Sequence, residues 1–204
     1  MSFKDTPAGM ITALTLTALL IGLGLAGFFI FAEPKIEKNR IAAEKKAIFS
    51  VIEGATEYEV KEKEVTVTVV DKKGKSSNVK KTVKYFVGLD DAKNVVGYAI
   101  PTEAPGYSAA VKIMLGVNVD NKTILDYNVT DHLETPGLGT KIEEDPFKPQ
   151  FKGLPFTPKV TYIKNRKSDV PSEITAIAGA TISSVAIVNA VNNGTRDLLA
   201  ALGR

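Results

Sequence analysis

The hydroxyl residues at the start of the last apolar segment are the first feature of the chain that suggests chemistry. The stretch IAGATISSVAIV, residues 177–188, places Thr181 and two serines directly after Gly179 and Ala180. The small residues predict a tight turn, and the apolar run after them predicts a helix. The first turn of a helix has unpaired backbone N–H groups and a positive dipole end, which together stabilise an anion such as a phosphate.

Two interpretations of Thr181 are open on these residues alone. Serine and threonine in front of an apolar helix are most often N-caps, whose hydroxyls accept hydrogen bonds from the first turn. A threonine at the same place can instead carry a phosphate group as an ester, since the helix N-terminus would neutralise its charge. Ser183 and Ser184 are candidate caps under either interpretation.

A second segment with an unusual composition is HLETPGLGT, residues 132–140, within the irregular stretch 131–153. Long loops in compact domains are often functional. Its one proline and two glycines carry little side-chain bulk, so a planar ring could approach the backbone, and Leu138 could supply an apolar face. An ordinary Pro/Gly turn is the alternative. We interpret His132 as structural and Lys141 as a solvated side chain.

The composition excludes several classes of chemistry. The 204 residues include no cysteine and one histidine, which excludes disulfides, thiolate nucleophiles, Cys-ligated metals and multi-histidine metal sites. Any redox chemistry must therefore use an organic cofactor, and we expect no metal ligands and no catalytic residue. A net charge of +3, from 26 basic and 23 acidic residues without a dense basic run, gives no support for nucleic-acid binding.

The N-terminal segment predicts a membrane anchor. No residue from 6 to 32 carries a charge, and the 23 residues 10–32 would span about 34 Å as a helix. A signal peptide is the alternative, but its apolar core would be shorter and would end in a small-residue cleavage site. We expect one uncleaved transmembrane helix. Ala18, Gly22 and Ala26 share one face of it, which favours close helix packing or reflects ordinary composition.

The charges beside this anchor leave its orientation open. One lysine, Lys4, precedes the anchor, whereas a group of basic residues follows it. The positive-inside rule alone would keep the C-terminal part in the cytoplasm. The acidic residues Glu33, Glu37 and Glu44 are interspersed with these basic residues, and large domains can cross a membrane despite such charges.

The remaining patterns predict an α+β domain with an antiparallel sheet. Residues 34–60 read as a helical stalk that continues or restarts after Pro34 and reaches a break at Gly54. Alternating apolar residues then predict strands separated by short turns, one of them KKGKSSN. These strands are residues 64–71, 79–90, 94–101, 109–119 and 123–130, with one more expected within 155–166.

The C-terminal segment, residues 183–204, has an apolar stripe at helical spacing. Because helices do not alternate regularly with the strands, a Rossmann fold is not expected. The predicted organisation is an anchor at 1–33, a stalk at 34–60 and a soluble domain at 61–204.

Three of these motifs resemble the FMN-binding domain family. GATISS, residues 179–184, followed by a helix, resembles the flavinylation motif, whose threonine holds FMN through a phosphoester. HLETPGLGT resembles the second signature of this family. PGY, residues 105–107, with the strand after it, resembles the segment that precedes that signature. The order and spacing of these motifs agree over residues 95–200.

This resemblance implies a set of FMN-binding residues. Thr181 would carry covalent FMN, Gly179 and Ala180 would form the turn around its phosphate, and Ser183 belongs to the same set. Tyr107 would stack on the flavin or serve as a structural tyrosine. The loop against the flavin would consist of Glu134, Thr135, Pro136, Gly137, Leu138, Gly139 and Thr140.

The chain departs from the family pattern at four positions. Ala178 stands where the family usually has serine or threonine, and Thr175 stands where it usually has an acidic residue. Ser108 and Ala109 replace a glycine pair. The acceptor hydroxyl of the motif is retained.

The short chain and its single anchor make the sequence most similar to the G subunits of Rnf electron-transport complexes. This similarity implies an electron carrier with covalent FMN in a ferredoxin:NAD+ oxidoreductase that translocates Na+ or H+. It implies other redox subunits and a flavin transferase as partners, contact with membrane lipid, and an extracytoplasmic C-terminal domain in the cell membrane. Such a protein is part of a translocase and is not catalytic alone.

Two alternatives remain. The C subunit of Na+-translocating NADH:quinone reductase shares this domain in a longer chain. A tethered module without redox activity would instead bind or scaffold partners, with Thr181 as a helix cap.

Overall fold

A computed structural model describes residues 6–70, 76–166 and 169–204. The chain divides into two compact units, one ending at Lys45 and the other comprising Lys46–Arg204. The helices and main strands are α1 (Pro7–Val51), β1 (Glu57–Val70), β2 (Ser76–Leu89), β3 (Val95–Pro105), β4 (Ala110–Asn118), β5 (Thr123–Asp131), β6 (Thr161–Ile163), β7 (Glu173–Thr175) and α2 (Thr181–Leu202). Most of the predicted turn KKGKSSN lies outside the described residues.

Helix α1 is continuous through Pro34. Of the two predicted possibilities for the stalk, continuation of the helix is therefore the correct one. The N-terminal part of α1 is long and apolar enough to cross a membrane. The hydroxyls of Thr12, Thr15 and Thr17 each donate to a backbone carbonyl four residues earlier, at 2.8 Å. These bonds lower the cost of placing the hydroxyls in lipid, because each one is satisfied within its own helix.

The last turns of α1 lie in the second unit. Ile48 and Ile52 are fully buried, and a turn with Gly54 at φ 88° follows them. Strand β1 then begins at Glu57, inside the segment predicted as helical stalk up to residue 60. The alternating sequence EYEVKEKEV accounts for this difference, because its residues pair with β2 in register from Glu57 and Leu89 onward.

The core of the second unit is a five-stranded antiparallel sheet in the order β1-β2-β3-β4-β5. This confirms the predicted α+β class. One face of the sheet packs against α2 and encloses the larger hydrophobic core. The other face packs against the end of α1 at Gly116, where an added Cβ would lie 2.1 Å from the Val51 carbonyl oxygen.

The segment between β5 and α2 positions the candidate site. The stretch 131–153, predicted to be irregular, contains two short 3-10 helices, Gly139–Glu143 and Lys148–Phe151. Strand β6 lies within the region predicted to return one strand, and it pairs in parallel with β7, which was not predicted. Helix α2 begins at Thr181, two residues before its predicted start.

Candidate cofactor site

Three segments that are far apart in the sequence line one cleft of about 360 Å³ in the second unit. They are the turn after β3, the loop after β5 and the start of α2. The lining residues are Tyr107, Glu134, Thr135, Leu138, Gly139, Gly179, Ala180, Thr181, Ile182 and Ser183. The structure therefore brings most of the sequence-predicted site residues together, while Pro136, Gly137 and Thr140 do not line this cleft.

Thr181 is the first residue of α2 and is partly exposed in the cleft. The N-cap position belongs to Ala180, and no side-chain hydrogen bond caps the helix. Within the described ranges, the Thr181 hydroxyl makes no hydrogen bond, so it does not act as the cap that its residue type suggests. The helix therefore presents unpaired N–H groups beside a free hydroxyl.

Ser184 closes the turn in front of α2. Its hydroxyl accepts a hydrogen bond from the Ile177 N–H and donates one to the Ala180 carbonyl, both at 3.0 Å. Gly179 has φ 81°, a left-handed conformation that glycine adopts without strain. The predicted capping role of Ser184 is therefore wrong, because its hydroxyl is used within the turn.

Glu134 is a buried carboxylate at the base of the cleft, 5% exposed. Its Oε1 accepts hydrogen bonds from the backbone N–H groups of Tyr107, at 2.8 Å, and Ser108, at 3.3 Å. Its Oε2 accepts a hydrogen bond from the Ser183 hydroxyl, so Ser183 does not cap the helix either. One side chain thus joins all three segments of the site.

Two glycines make room for the Glu134 side chain. A Cβ added at Gly106 would lie 2.5 Å from Glu134 Oε1. A Cβ added at Gly139 would lie 2.8 Å from the Glu134 Cβ and 2.9 Å from its Oε2. The glycines of the PGY and GLGT motifs therefore serve close packing around one carboxylate.

The loop after Glu134 is held by its own backbone. The Thr135 carbonyl accepts hydrogen bonds from the N–H groups of Leu138, Gly139 and Thr140. The Thr140 hydroxyl accepts one from the Gly137 N–H, at 3.0 Å. This compact turn directs Thr135, Leu138 and Gly139 to the cleft.

The mouth of the cleft is apolar. Tyr107, Leu138 and Ile182 line it and are 68%, 41% and 53% exposed. Ile182 was not among the sequence-predicted residues. The sequence does contain a signal for Ile182. This apolar residue directly follows Thr181 and lies on the opposite side of the helix from the apolar stripe.

Two of the four departures from the family pattern, Thr175 and Ala178, line a separate cavity of about 600 Å³. The Thr175 N–H donates to Gln150 Oε1 at 2.7 Å, and its hydroxyl donates to the Arg166 carbonyl at 3.0 Å. Thr175 thus anchors β7, which leads into the turn before α2. No group of three or more acidic or histidine residues that could hold a metal occurs within the described residues.

The cleft suits an anionic ligand with an aromatic ring. Its volume lies within the range of about 300–1,000 Å³ typical of small-molecule sites. The uncapped start of α2 offers N–H groups to a phosphate, and the side chains of Tyr107, Leu138 and Ile182 offer apolar contact to a ring.

Comparison with known proteins shows the family of the chain. Residues 106–196 match the FMN-binding domain family. The chain is 30% identical over 190 residues to the G subunit of the ion-translocating oxidoreductase complex of Methanosarcina acetivorans, covering 93% of each chain. It is 26% identical over 190 residues to the G subunit of the proton-translocating ferredoxin:NAD(+) oxidoreductase complex of Clostridium ljungdahlii, covering 93% of this chain and 90% of the relative.

Two crystal structures share the fold. Shewanella oneidensis NqrC aligns with a TM-score of 0.56 at 17% identity, over 72% of this chain and 80% of that one. The C subunit of the Na(+)-translocating NADH-quinone reductase of Parabacteroides distasonis aligns with a TM-score of 0.52 at 19% identity, over 74% and 79% of the two chains. At these identities the likeness concerns the fold alone.

Proposed function

The chain belongs to the G-subunit family of ion-translocating oxidoreductase complexes, and from this we propose that it is an electron carrier with FMN bound covalently to Thr181. The phosphate would be esterified to the threonine hydroxyl at the start of α2. Such a link would retain the cofactor in a cleft whose apolar lining residues Tyr107, Leu138 and Ile182 are exposed to solvent.

The observation that carries this proposal is the state of Thr181. Thr181 lines the cleft at a helix N-terminus without a side-chain cap, and its hydroxyl makes no hydrogen bond to any described residue. A capping threonine would have used that hydroxyl on the helix itself. The free hydroxyl and the unpaired N–H groups fit a phosphoester in both position and charge.

FMN, when bound, would accept and donate electrons through its ring system. The chain's own residues have a supporting task. The N–H groups of the first turn of α2 would bind the phosphate, while Tyr107, Leu138 and Ile182 would cover the ring and exclude water from part of it. Glu134 would hold the three segments at a fixed spacing.

In this account the chain relays electrons between other subunits of a ferredoxin:NAD+ oxidoreductase that translocates Na+ or H+. The G subunits of two such ion-translocating complexes, from Methanosarcina acetivorans and Clostridium ljungdahlii, align with 93% of this chain. The chain is a component of a translocase and needs its redox partners for turnover. A flavin transferase would move the FMN moiety of FAD onto the Thr181 hydroxyl. The pyrophosphate bond of FAD would break, AMP would leave, and the hydroxyl would lose its proton.

The apolar part of α1 would anchor the protein in the cell membrane, with lipid around its exposed side chains. We place the C-terminal domain on the extracytoplasmic side, following the family. We also keep the division into an anchor at 1–33 and an FMN-binding domain within 61–204 as a proposal.

One alternative assigns the same chemistry to a quinone reductase, as its C subunit. The structural neighbours are such subunits, and at 17% and 19% identity they share only the fold with this chain. Affinity purification of the intact complex through this chain decides between the two. Recovery of an iron–sulfur protein of the Rnf B type supports the proposal, and recovery of quinone-reductase subunits favours the alternative.

Covalent attachment is tested by co-expression of the chain with a flavin transferase and electrophoresis under denaturing conditions. The wild-type band should fluoresce under ultraviolet light, and Thr181→Val should abolish the fluorescence. Thr135→Val is the matched control, because Thr135 lines the same cleft but is not the proposed acceptor. A dark wild-type band would contradict the covalent link.

A further inference from the structure

His132, the single histidine of the chain, lies at the base of the cleft loop, defined as residues 134–143. Its Nδ1 accepts a hydrogen bond from the Glu134 N–H at 3.1 Å. Its Nε2 lies 2.8 Å from Glu143 Oε1. The imidazole therefore bridges the first and last residues of the cleft loop.

These two contacts assign one tautomer to the ring from its hydrogen-bond partners. A nitrogen that accepts a hydrogen bond carries no hydrogen, so Nδ1 is unprotonated and Nε2–H donates to Glu143. The ring is 20% exposed and Glu143 is 45% exposed, so the bridge is only partly shielded from solvent. Asp131 is the adjacent charged residue on the strand side, and it is paired with Lys112 at 2.8 Å.

The His132 bridge affects the shape of the cleft because it contacts Glu134, the residue that joins the three segments of the cleft. The backbone of Glu134 is held by His132, and its carboxylate holds Tyr107 and Ser183 on the other two segments of the cleft. Glu143 closes the 3-10 helix that begins at Gly139, which packs directly on the Glu134 side chain. A shift of the imidazole would therefore be transmitted to all three walls of the cleft.

We propose that His132 is a positioning residue for the flavin site, acting through its unprotonated Nδ1 on Glu134. This inference rests on the proposed function, because it assumes that the cleft holds FMN. His132 does not line the cleft and is not assigned any contact with the cofactor. Its effect is to hold the Glu134 end of the cleft loop in place, which sets how firmly the ring is held.

The test uses the full-length protein in detergent, loaded with FMN by a flavin transferase. His132→Asn keeps an acceptor near the place of Nδ1, whereas His132→Gln and His132→Ala remove that acceptor. Glu143→Gln is the control for the other end of the bridge, because its amide oxygen still accepts from Nε2–H. Flavin content on a denaturing gel, the visible circular dichroism of the bound flavin and its midpoint potential are then compared.

We expect equal flavin content in all these variants. The visible circular dichroism should be lost, and the midpoint potential shifted, in His132→Ala and His132→Gln. Both signals should be retained in His132→Asn and in Glu143→Gln. An unchanged spectrum and potential in His132→Ala would overturn the proposal, and so would a loss in His132→Asn as large as that in His132→Ala.

Nitrogen-15 labelling of the single histidine tests the tautomer directly in the wild-type chain, even where His132→Ala fails to fold. An unprotonated Nδ1 is expected, and a protonated Nδ1 overturns the proposal. A wild-type protein without covalent flavin would refute the proposed function instead. Normal flavin content with an unaffected His132→Ala spectrum would refute only the role of His132.

Discussion

The Ser183 hydroxyl donates a hydrogen bond to the buried carboxylate of Glu134, which lies 49 residues earlier in the chain. The same carboxylate accepts the Tyr107 N–H at 2.8 Å. One acidic side chain thus joins the start of α2, the loop after β5 and the turn after β3. The shape of the cleft depends on this junction, since each contact crosses between segments that are not otherwise neighbours in the sequence.

Replacement of Glu134 by alanine should destabilise the protein by about 2–4 kcal/mol, because the buried Ser183 hydroxyl and the partly buried Tyr107 N–H lose their acceptor. Glu134→Gln should cost less, since the amide oxygen still accepts one hydrogen bond. Denaturant unfolding of the full-length protein in detergent measures both. Ser183→Ala is the matched control, with an expected cost of about 1–2 kcal/mol. An Ala variant as stable as the wild type would refute the joining role of Glu134.

Replacement of Gly139 by alanine should disturb the cleft, because the new Cβ would lie 2.8 Å from the Glu134 Cβ. We expect a loss of about 1–3 kcal/mol and a weaker visible circular dichroism of the bound flavin. Gly137→Ala is the control within the same loop. Gly137 has open space around it but φ 71°, so its replacement should cost about 1 kcal/mol and leave the flavin signal intact. Equal flavin signals in the two variants would contradict this account.

The free energy of unfolding should fall at alkaline pH because the unfolded chain ionises Tyr127 more readily than the folded chain does. Tyr127 is fully buried, its hydroxyl donates to the Ile142 carbonyl, and burial, with the nearby charges of Asp126 and Glu143, raises its pKa. The unfolded chain therefore ionises this tyrosine above about pH 10, while the folded chain does not. Its stabilising contribution is complete below that pH and is lost as the pH rises, by about 1.4 kcal/mol per pH unit.

Thermal unfolding of wild type and Tyr127→Phe between neutral pH and pH 11 measures this contribution. The variant should be less stable at neutral pH, by about 1–3 kcal/mol, because the Ile142 carbonyl loses its donor. The difference between the two proteins should narrow above about pH 10. A constant difference over the whole range would show that Tyr127 titrates normally.

The orientation of the C-terminal domain can be measured because the chain has no cysteine. A single cysteine at the exposed position Asn189 should react with a membrane-impermeant maleimide in intact cells. A single cysteine at Ser2, on the other side of the apolar segment, is the control and should react only after the cells are opened. The reverse pattern would place the FMN-binding domain in the cytoplasm, which is the location that the positive-inside rule predicts from the basic residues after the anchor.

Local patterns in the sequence predicted the antiparallel sheet, the anchor helix and the helix that begins near Thr181. They could do so because apolar periodicity and small-residue turns act over a few neighbouring residues. The role of Ser184 was missed, since it depends on the conformation of the turn at Ile177 and Ala180. A hydroxyl near a helix start has several backbone partners within reach, and the sequence does not say which one it takes.

Contacts between distant segments could not be predicted from the sequence, because local patterns do not show which segments pack together. The bonds of Glu134 to Tyr107 and Ser183 exist only after the sheet and α2 have packed. The resemblance to a family supplied a set of residues near the cofactor without their contacts. The structure adds Ile182 to the cleft and gives His132 a defined pair of hydrogen-bond partners.

The central claim is that Thr181 carries FMN through a phosphoester. The mass of the intact full-length chain, co-expressed with a flavin transferase, tests it most directly. The account predicts a mass higher than that of the sequence by one FMN less one water, and the unmodified mass for Thr181→Val under the same conditions. An unmodified wild-type chain, or a Thr181→Val chain that still gains this mass, would contradict it.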